Sequence, residues 1–277
     1  MLNINYYILR IIEKIPFIQI VVYNWIDNFN FLFPHEKDYF GLIKIFKNFK
    51  SKGDFIDVGG NIGLSIIGFR KLGFKNTIHV FEPDTYCFNR LQTLKKKNKK
   101  IYCYNFGLGE KNVKSYLYQA KFFGLYFHFL SSFDINYLKN TIKDFYGIFG
   151  SLFTIDKKLF SIKKFDNLKT IFNPIFIKID TEGYDYLVIK GMLTTIKKFK
   201  PVILVEFNKE NILQIVNLLK KNYFFYFYNH KNNFLKKINI QLIKNLSRKK
   251  SRKSDLVSPR NIYLIRKNFC LNDSIIK

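Results

Sequence analysis

From about residue 55 onward, short apolar runs alternate with stretches whose apolar positions recur at helical spacing. Apolar runs of about four to eight residues bounded by turn residues read as buried strands, and a 3.6-residue period reads as helix. Strands are therefore predicted over residues 55–58, 77–82, 101–106, 113–118, 175–180, 202–207, 223–228 and 261–266, and helices over 62–72, 85–97, 184–190 and 210–221. Near-continuous apolar strands alternating with helices define an α/β protein whose mostly parallel sheet is covered on both faces. Ahead of them, residues 1–50 read as a helical N-terminal extension, with Phe40, Leu42, Ile43, Ile45 and Phe46 at helical spacing before the turn Ser51-Lys52-Gly53-Asp54. Residues 51–277 are then one large domain.

Two segments depart from this pattern. Residues 121–150 are rich in aromatics without a clean period, which suggests a substrate-side insertion or lid. Residues 247–255 carry Arg248, Lys249, Lys250, Arg252 and Lys253 and read as a basic, solvated loop, with a phosphate-binding patch as the alternative. No internal repeat is evident.

Composition changes the picture in one respect. Lys and Arg total 47 against 20 acidic residues, a formal charge of +27, which favours polyanionic partners such as nucleic acid or an anionic membrane face. Lys, Asn, Ile, Phe and Tyr share A/T-rich codons, so base composition is a competing explanation of the same charge. Cys87, Cys103 and Cys270 show no CxxC spacing and no disulfide density, which fits a reducing compartment. Residues 7–16 are apolar but punctuated by charge and lead to no small-residue cleavage site, so they read as an amphipathic helix packed on the domain or held at a membrane surface. The expected location is cytoplasmic, with peripheral association at the inner membrane face as a possibility of the charge.

The chemistry concentrates where Phe55-Ile56-Asp57-Val58 runs into the turn Gly59-Gly60-Asn61-Ile62-Gly63, and where a second strand ends in an acid, Ile78-His79-Val80-Phe81-Glu82-Pro83. Strand, glycine turn, helix, strand, acid is the unit that cradles an adenosine-bearing cofactor at the carboxyl ends of parallel strands. A dinucleotide site requires G-x-G-x-x-G spacing to bring a pyrophosphate against bare N–H groups. Counted from Gly59, Asn61 and Leu64 occupy the second and third glycine positions, so that spacing fails. Asp57 ahead of the turn disfavours a pyrophosphate but suits a cation, and S-adenosylmethionine carries a sulfonium and an ammonium without phosphate. Glu82 can accept both ribose hydroxyls. The bland reading has Asp57 capping the turn and Glu82 as a solvated strand end.

At this point the chain resembles the FkbM-like family of S-adenosylmethionine-dependent methyltransferases. Asp57-Val58-Gly59-Gly60-Asn61-Ile62-Gly63 is similar to the family's D-x-G-A-N-x-G turn, with Gly60 in place of Ala. Phe81-Glu82-Pro83 matches its F-E-P, Lys178-Ile179-Asp180-Thr181-Glu182-Gly183 resembles its K-I-D-x-E-G, and Lys190-Gly191 its K-G step. Pro201-Val202-Ile203-Leu204-Val205-Glu206 resembles the P-x-I-L-x-E strand, so the likeness runs over residues 35–230.

The resemblance implies a Rossmann-like class I methyltransferase fold with a seven-stranded sheet. It also implies methyl transfer from S-adenosylmethionine, most often to a hydroxyl of a sugar or natural product. Asp57, Gly59, Asn61, Gly63 and Glu82 inherit cofactor-binding roles; Asp180, Glu182 and Glu206 are the candidate catalytic residues on the acceptor side. Asp180 would orient the acceptor hydroxyl or take its proton. Helix capping by Asp180 and Glu182, and a simple lysine pairing of Glu206, are the competing readings. Glu36 stands where relatives place an acid ahead of the turn. His79 reads as packed within a strand, while His35, His128 and His230 lack metal-ligand spacing, so no metal is expected.

The expected acceptor is a glycan or small-molecule hydroxyl, in a surface glycan or its precursor. The alternative is an RNA methyltransferase using the basic surface. Nucleic acid is the less favoured partner, because no adjacent prolines provide an N-P-P-Y loop and no cysteine stands in a Pro-Cys context.

Overall fold

A computed structural model describes residues 37–46, 52–229, 232–245 and 259–269. In chain order the first strands are β1 (Asp54–Val58), β2 (Ile78–Phe81), β3 (Ile101–Tyr104), β4 (Gly107–Leu108), β5 (Val113–Phe122) and β6 (Leu125–Ser132). They are followed by β7 (Phe153–Lys163), β8 (Pro174–Ile179), β9 (Val202–Glu206), β10 (Tyr223–Asn229), β11 (Phe234–Ile238) and β12 (Asn261–Arg266). The helices are α1 (Phe40–Phe46), α2 (Leu64–Lys71), α3 (Thr85–Lys97), α4 (Ile135–Tyr146), α5 (Asp185–Gly191), α6 (Leu193–Phe199), α7 (Lys209–Leu219) and α8 (Ile240–Asn245). The chain divides into two units, one taking in Ser115–Phe160 and the other the described residues of His35–Lys114 and Ser161–Lys277.

The larger unit is built on a sheet of order β11-β10-β12-β9-β8-β1-β2-β3. Its central strands pair in parallel, β9 with β8, β8 with β1, β1 with β2 and β2 with β3. β12 runs antiparallel between β9 and β10, and β11 runs antiparallel along β10. Because side chains alternate along a strand, the sheet carries two cores. Ile56, Val58, Ile177, Ile179, Ile203 and Val205 pack on one face with Val188 and Ile189 of α5, Ile196 of α6, and Ile212 and Ile215 of α7. Phe55, Ile78, Val80, Phe176, Val202 and Leu204 pack on the other with Leu42 and Ile45 of α1, Ile66 and Phe69 of α2, and Leu91 of α3. Phe55 and Phe176 are registered partners across β1 and β8, their rings stacked with centroids 4.8 Å apart.

The mostly parallel sheet with helices on both faces is therefore present, with an eighth strand where seven were expected. The extra strand is β11, an edge strand whose Lys236 and Lys237 are exposed between buried Leu235 and Ile238. Lysines of this kind discourage edge-to-edge pairing, and they also break the apolar run by which a strand is read. The expected strand over 113–118 is real but pairs antiparallel with β6 outside the large sheet.

The smaller unit corrects the reading of residues 121–150 as irregular. Ala120, Phe122, Phe127, Leu130, Leu138, Ile142 and Tyr146 form a core of their own. Leu138, Ile142 and Tyr146 recur every fourth residue along α4, and Asp134 caps that helix by accepting from the N–H groups of Asn136 and Tyr137. The period is present in the sequence but is overlaid by the exposed aromatic Phe145, and by Ile148 and Phe149 just beyond.

Of the N-terminal extension, the short turn Lys37–Tyr39 and α1 are described. Residues 7–16, His35, Glu36, His230 and the basic run 247–255 lie outside the described residues, as does the side chain of His128. Among the described residues no helix is long and apolar enough to cross a membrane.

Candidate active site

Parallel registry brings the sequence-predicted acids to one edge of the sheet. Val58 is registered with Phe81 and with Ile179, and Ile179 with Val205. One residue further on, Gly59, Glu82, Asp180 and Glu206 leave four neighbouring strands at the same level. β1 is the switch point, since the chain passes from β1 to β2 and β3 on one side and later lays β8 and β9 on the other. Ligands of open α/β sheets bind in the crevice outside the strand ends at such a point.

The turn after β1 is fixed by backbone contacts. Gly59 N–H donates to the Phe81 carbonyl at 2.9 Å, and Asp180 N–H to the Val58 carbonyl at 3.0 Å. Gly59 has φ +78°, and a Cβ there would lie 1.9 Å from the Asp180 carbonyl oxygen, so a side chain is excluded by both conformation and space. Asn61 also adopts a positive φ of 45°, a conformation Asn tolerates better than most residues. Its backbone N–H donates to Glu82 Oε2 at 2.8 Å. Gly63 ends the turn at φ 89° and leads into α2.

Glu82 is held from both sides. Its second oxygen, Oε1, accepts from Asp84 N–H at 2.8 Å, and the Asn105 side chain ties down the Glu82 and Pro83 carbonyls. Asp84 caps α3 by accepting from Cys87 N–H. Burial pushes the Glu82 carboxyl up to about 7, opposed by those two backbone donors. Each carboxylate oxygen still has lone-pair capacity for a further donor, which is what a pair of ribose hydroxyls requires.

Asp57 lies beneath the turn, with no exposed surface. Its Oδ2 accepts from Ser65 Oγ, and Lys178 Nζ stands 3.5 Å from its Oδ1. Burial raises its carboxyl above the ordinary value, and Lys178 and Ser65 oppose that shift. It therefore stands behind the turn and presents no surface to the crevice.

At the ends of β8 and β9, Asp180, Glu182 and Glu206 bring one carboxylate oxygen each within 4.8 Å of one another. The loop carrying the first two is rigidly built. Glu182 has φ 49° and Gly183 φ 98°, two successive left-handed residues. Asp185, fully buried at the start of α5, accepts from both the N–H and the Oγ1 of Thr181, and Asn211 Nδ2 donates to the Gly183 carbonyl at 3.0 Å. Burial pushes the Asp185 carboxyl up to about 6. A strained backbone held by several fixed contacts is found where a side chain must be presented in one orientation. Three such carboxylates have the donor set of a hard cation and equally that of a hydroxyl-binding, proton-accepting group.

All eight sequence-predicted residues thus meet at the ends of β1, β2, β8 and β9. Sequence reasoning missed the supporting group: Ser65, Asn105, Asp185 and Asn211. None lies in a spaced motif; Asp185 alone carried a signal, as an acid opening a helix. Lys190-Gly191 serves packing, since a Cβ at Gly191 would lie 1.9 Å from the Gly109 carbonyl oxygen and Lys190 pairs with Glu110. His79 is a packed residue, buried against Tyr102, Tyr104 and Phe172.

The fold is that of a class I, Rossmann-like methyltransferase. Residues 57–226 match the methyltransferase FkbM domain, which is more than half of the chain, and the chain belongs to that family. Among solved structures it is similar to a methyltransferase FkbM from Methylobacillus flagellatus KT, with 16% identity over 77% of this chain and 43% of that one, at a TM-score of 0.47. The chain therefore spans less than half the length of that protein. It is also similar to a precorrin-6y C5,15-methyltransferase from Geobacter metallireducens GS-15 (9% identity, 83% and 87% of the two chains, TM-score 0.38). A third is the plantazolicin methyltransferase BpumL, whose structure is in complex with SAH (10% identity, 76% and 63% of the two chains, TM-score 0.31). A comparison with curated proteins gives no match.

Proposed function

We propose that this methyltransferase uses S-adenosylmethionine to O-methylate a sugar hydroxyl of a surface glycan or its precursor, or a natural-product hydroxyl. When bound, S-adenosylmethionine supplies an electrophilic methyl group on a sulfonium. The residues fit such a cofactor: Glu82 is oriented by two backbone donors, and the N–H groups of residues 59–63 donate within the protein rather than being left for a phosphate. Glu82, Gly59, Asn61 and Gly63 would hold it, with Asp57 contributing negative charge from below.

The observation that carries the acceptor reading is the convergence of Asp180, Glu182 and Glu206 within 4.8 Å beside the cofactor crevice. An alcohol must lose a proton as it attacks a methyl carbon in line, and a positioned carboxylate that accepts this proton contributes roughly 10²–10⁴-fold. Asp180 orients the hydroxyl and takes its proton, Glu182 and Glu206 accept the remaining hydrogen bonds, and the fixed loop at Thr181–Gly183 prevents their reorientation. The formal charge of +27 favours work beside an acidic glycan or an anionic inner membrane face, to which the protein would bind peripherally.

Mass spectrometry of glycans from cells with and without the gene tests this reading. The expected result is loss of a single methyl from one sugar residue. Unchanged glycans and natural products together with a lost RNA methyl would overturn it.

A further inference from the structure

Among the described residues, Lys178 is the only lysine or arginine that is buried, at 4% exposure. The reason is the register. Lys178 is the partner of Asp57 across β8 and β1, two residues beyond the stacked Phe55–Phe176 pair and on the same face. Its ammonium reaches past the end of the strand and lies 3.2 Å from Asp180 Oδ2 and 3.5 Å from Asp57 Oδ1. It therefore touches one carboxylate on the donor side and one on the acceptor side.

We propose that Lys178 is a positioning residue that clamps the two halves of the site together, holding the Asp57 carboxylate under the cofactor turn and the Asp180 carboxylate beside the acceptor loop. The inference rests on the reading of this crevice as an S-adenosylmethionine site. The groups that face Asp57 make the dependence strong. Burial and Asp180 beyond β8 oppose a negative charge there, Glu82 beyond β2 faces it, and Ser65 supplies one hydroxyl. Lys178 supplies the cation. Removing one partner of a buried ion pair leaves the other uncompensated, which costs more than the pair is worth. Without Lys178, Asp57 relieves that cost by taking up a proton, and Asp180 loses the contact that aligns it.

Titration calorimetry with S-adenosylhomocysteine between pH 6.5 and 8.5 tests this on the full chain. Lys178→Met is expected to bind about tenfold more weakly than wild type at pH 6.5, with the gap narrowing severalfold as rising pH ionises Asp57. Glu82 titrates in both proteins, so the variant is compared with wild type at each pH. Wild-type affinity in the variant, or a gap that is the same at every pH, would overturn the proposal, because a merely structural lysine gives a uniform loss. Should Lys178→Met fail to fold, the double variant Lys178→Met/Asp57→Asn removes both charges. It is expected to fold and to show a gap to wild type that does not change with pH; a double variant that also fails to fold contradicts the proposal. Absence of binding by wild type would remove the cofactor reading itself, and this inference with it.

Discussion

Two groups of carboxylates stand a strand apart at the same edge of the sheet, and they are held in opposite ways. Glu82 is buried and receives backbone N–H groups on both oxygens, from Asn61 and Asp84. Asp180, Glu182 and Glu206 are half-buried, crowded within 4.8 Å of one another, and Asp180 is held by a side chain, Lys178. Backbone donors fix an acid for one geometry and one ligand. A crowded set carried partly on a left-handed loop is suited to a reacting hydroxyl, whose proton must leave. Under the proposed function, the difference would separate a donor half that binds from an acceptor half that reacts.

Substitutions break this comparison most sharply in the acceptor half. Asp180→Ala is expected to lower methyl transfer to the acceptor by about 10²–10⁴-fold while changing S-adenosylhomocysteine affinity less than about threefold. Unchanged turnover would remove Asp180 as the proton acceptor. In the donor half, Glu82→Ala is expected to weaken S-adenosylhomocysteine by at least about 100-fold, since two hydrogen bonds to a charged acceptor are lost at about 1.5–3 kcal/mol each. Calorimetric affinity within tenfold of wild type would contradict the assignment of Glu82 to the ribose.

The raised Glu82 carboxyl sharpens the same contrast through pH. In the unliganded protein its value of about 7 lies above the ordinary 4.5, so its contribution to stability is present below about 4.5 and is lost as pH rises through about 7. Asp185, at about 6, acts in the same direction. The melting temperature of unliganded protein should therefore rise as pH is lowered from 8 toward 5.5. Ribose binding prefers the ionised form, so S-adenosylhomocysteine affinity should fall over that same interval, by up to about tenfold per pH unit below 7. Melting and binding that move together with pH would contradict this.

The smallest effect concerns the loop. Glu182→Gly should raise the melting temperature by about 2–4 °C, because glycine relieves a left-handed residue at a cost of about 1 kcal/mol. Asn61→Gly should gain less. Equal gains at both positions would show that Glu182 is not the more strained of the two.

The donor half was legible because its parts are compressed in sequence: Asp57, the turn and Glu82 lie within 26 residues along β1-α2-β2. The acceptor half was legible in placement, since Asp180 and Glu206 each follow an apolar strand, but their mutual approach depends on the register between β8 and β9. Lys178 read as a letter of a motif within an apolar run, and its bridging role emerges only when β8 lies beside β1. Ser65, Asn105 and Asn211 act through one or two hydrogen bonds to residues outside their own elements, which leave no periodic trace. In the smaller unit, the buried spacing of Leu138, Ile142 and Tyr146 was obscured by apolar side chains that the fold leaves exposed, Ile148 at 85% among them.

On the proposed function, the crevice at Gly59, Glu82 and Asp180 takes an adenosine cofactor carrying a cation and no phosphate. Calorimetric titration of the protein with S-adenosylhomocysteine and, separately, with NADH tests it most directly. Saturable binding of S-adenosylhomocysteine with no heat from NADH is the predicted result; binding of NADH with none of S-adenosylhomocysteine would contradict it.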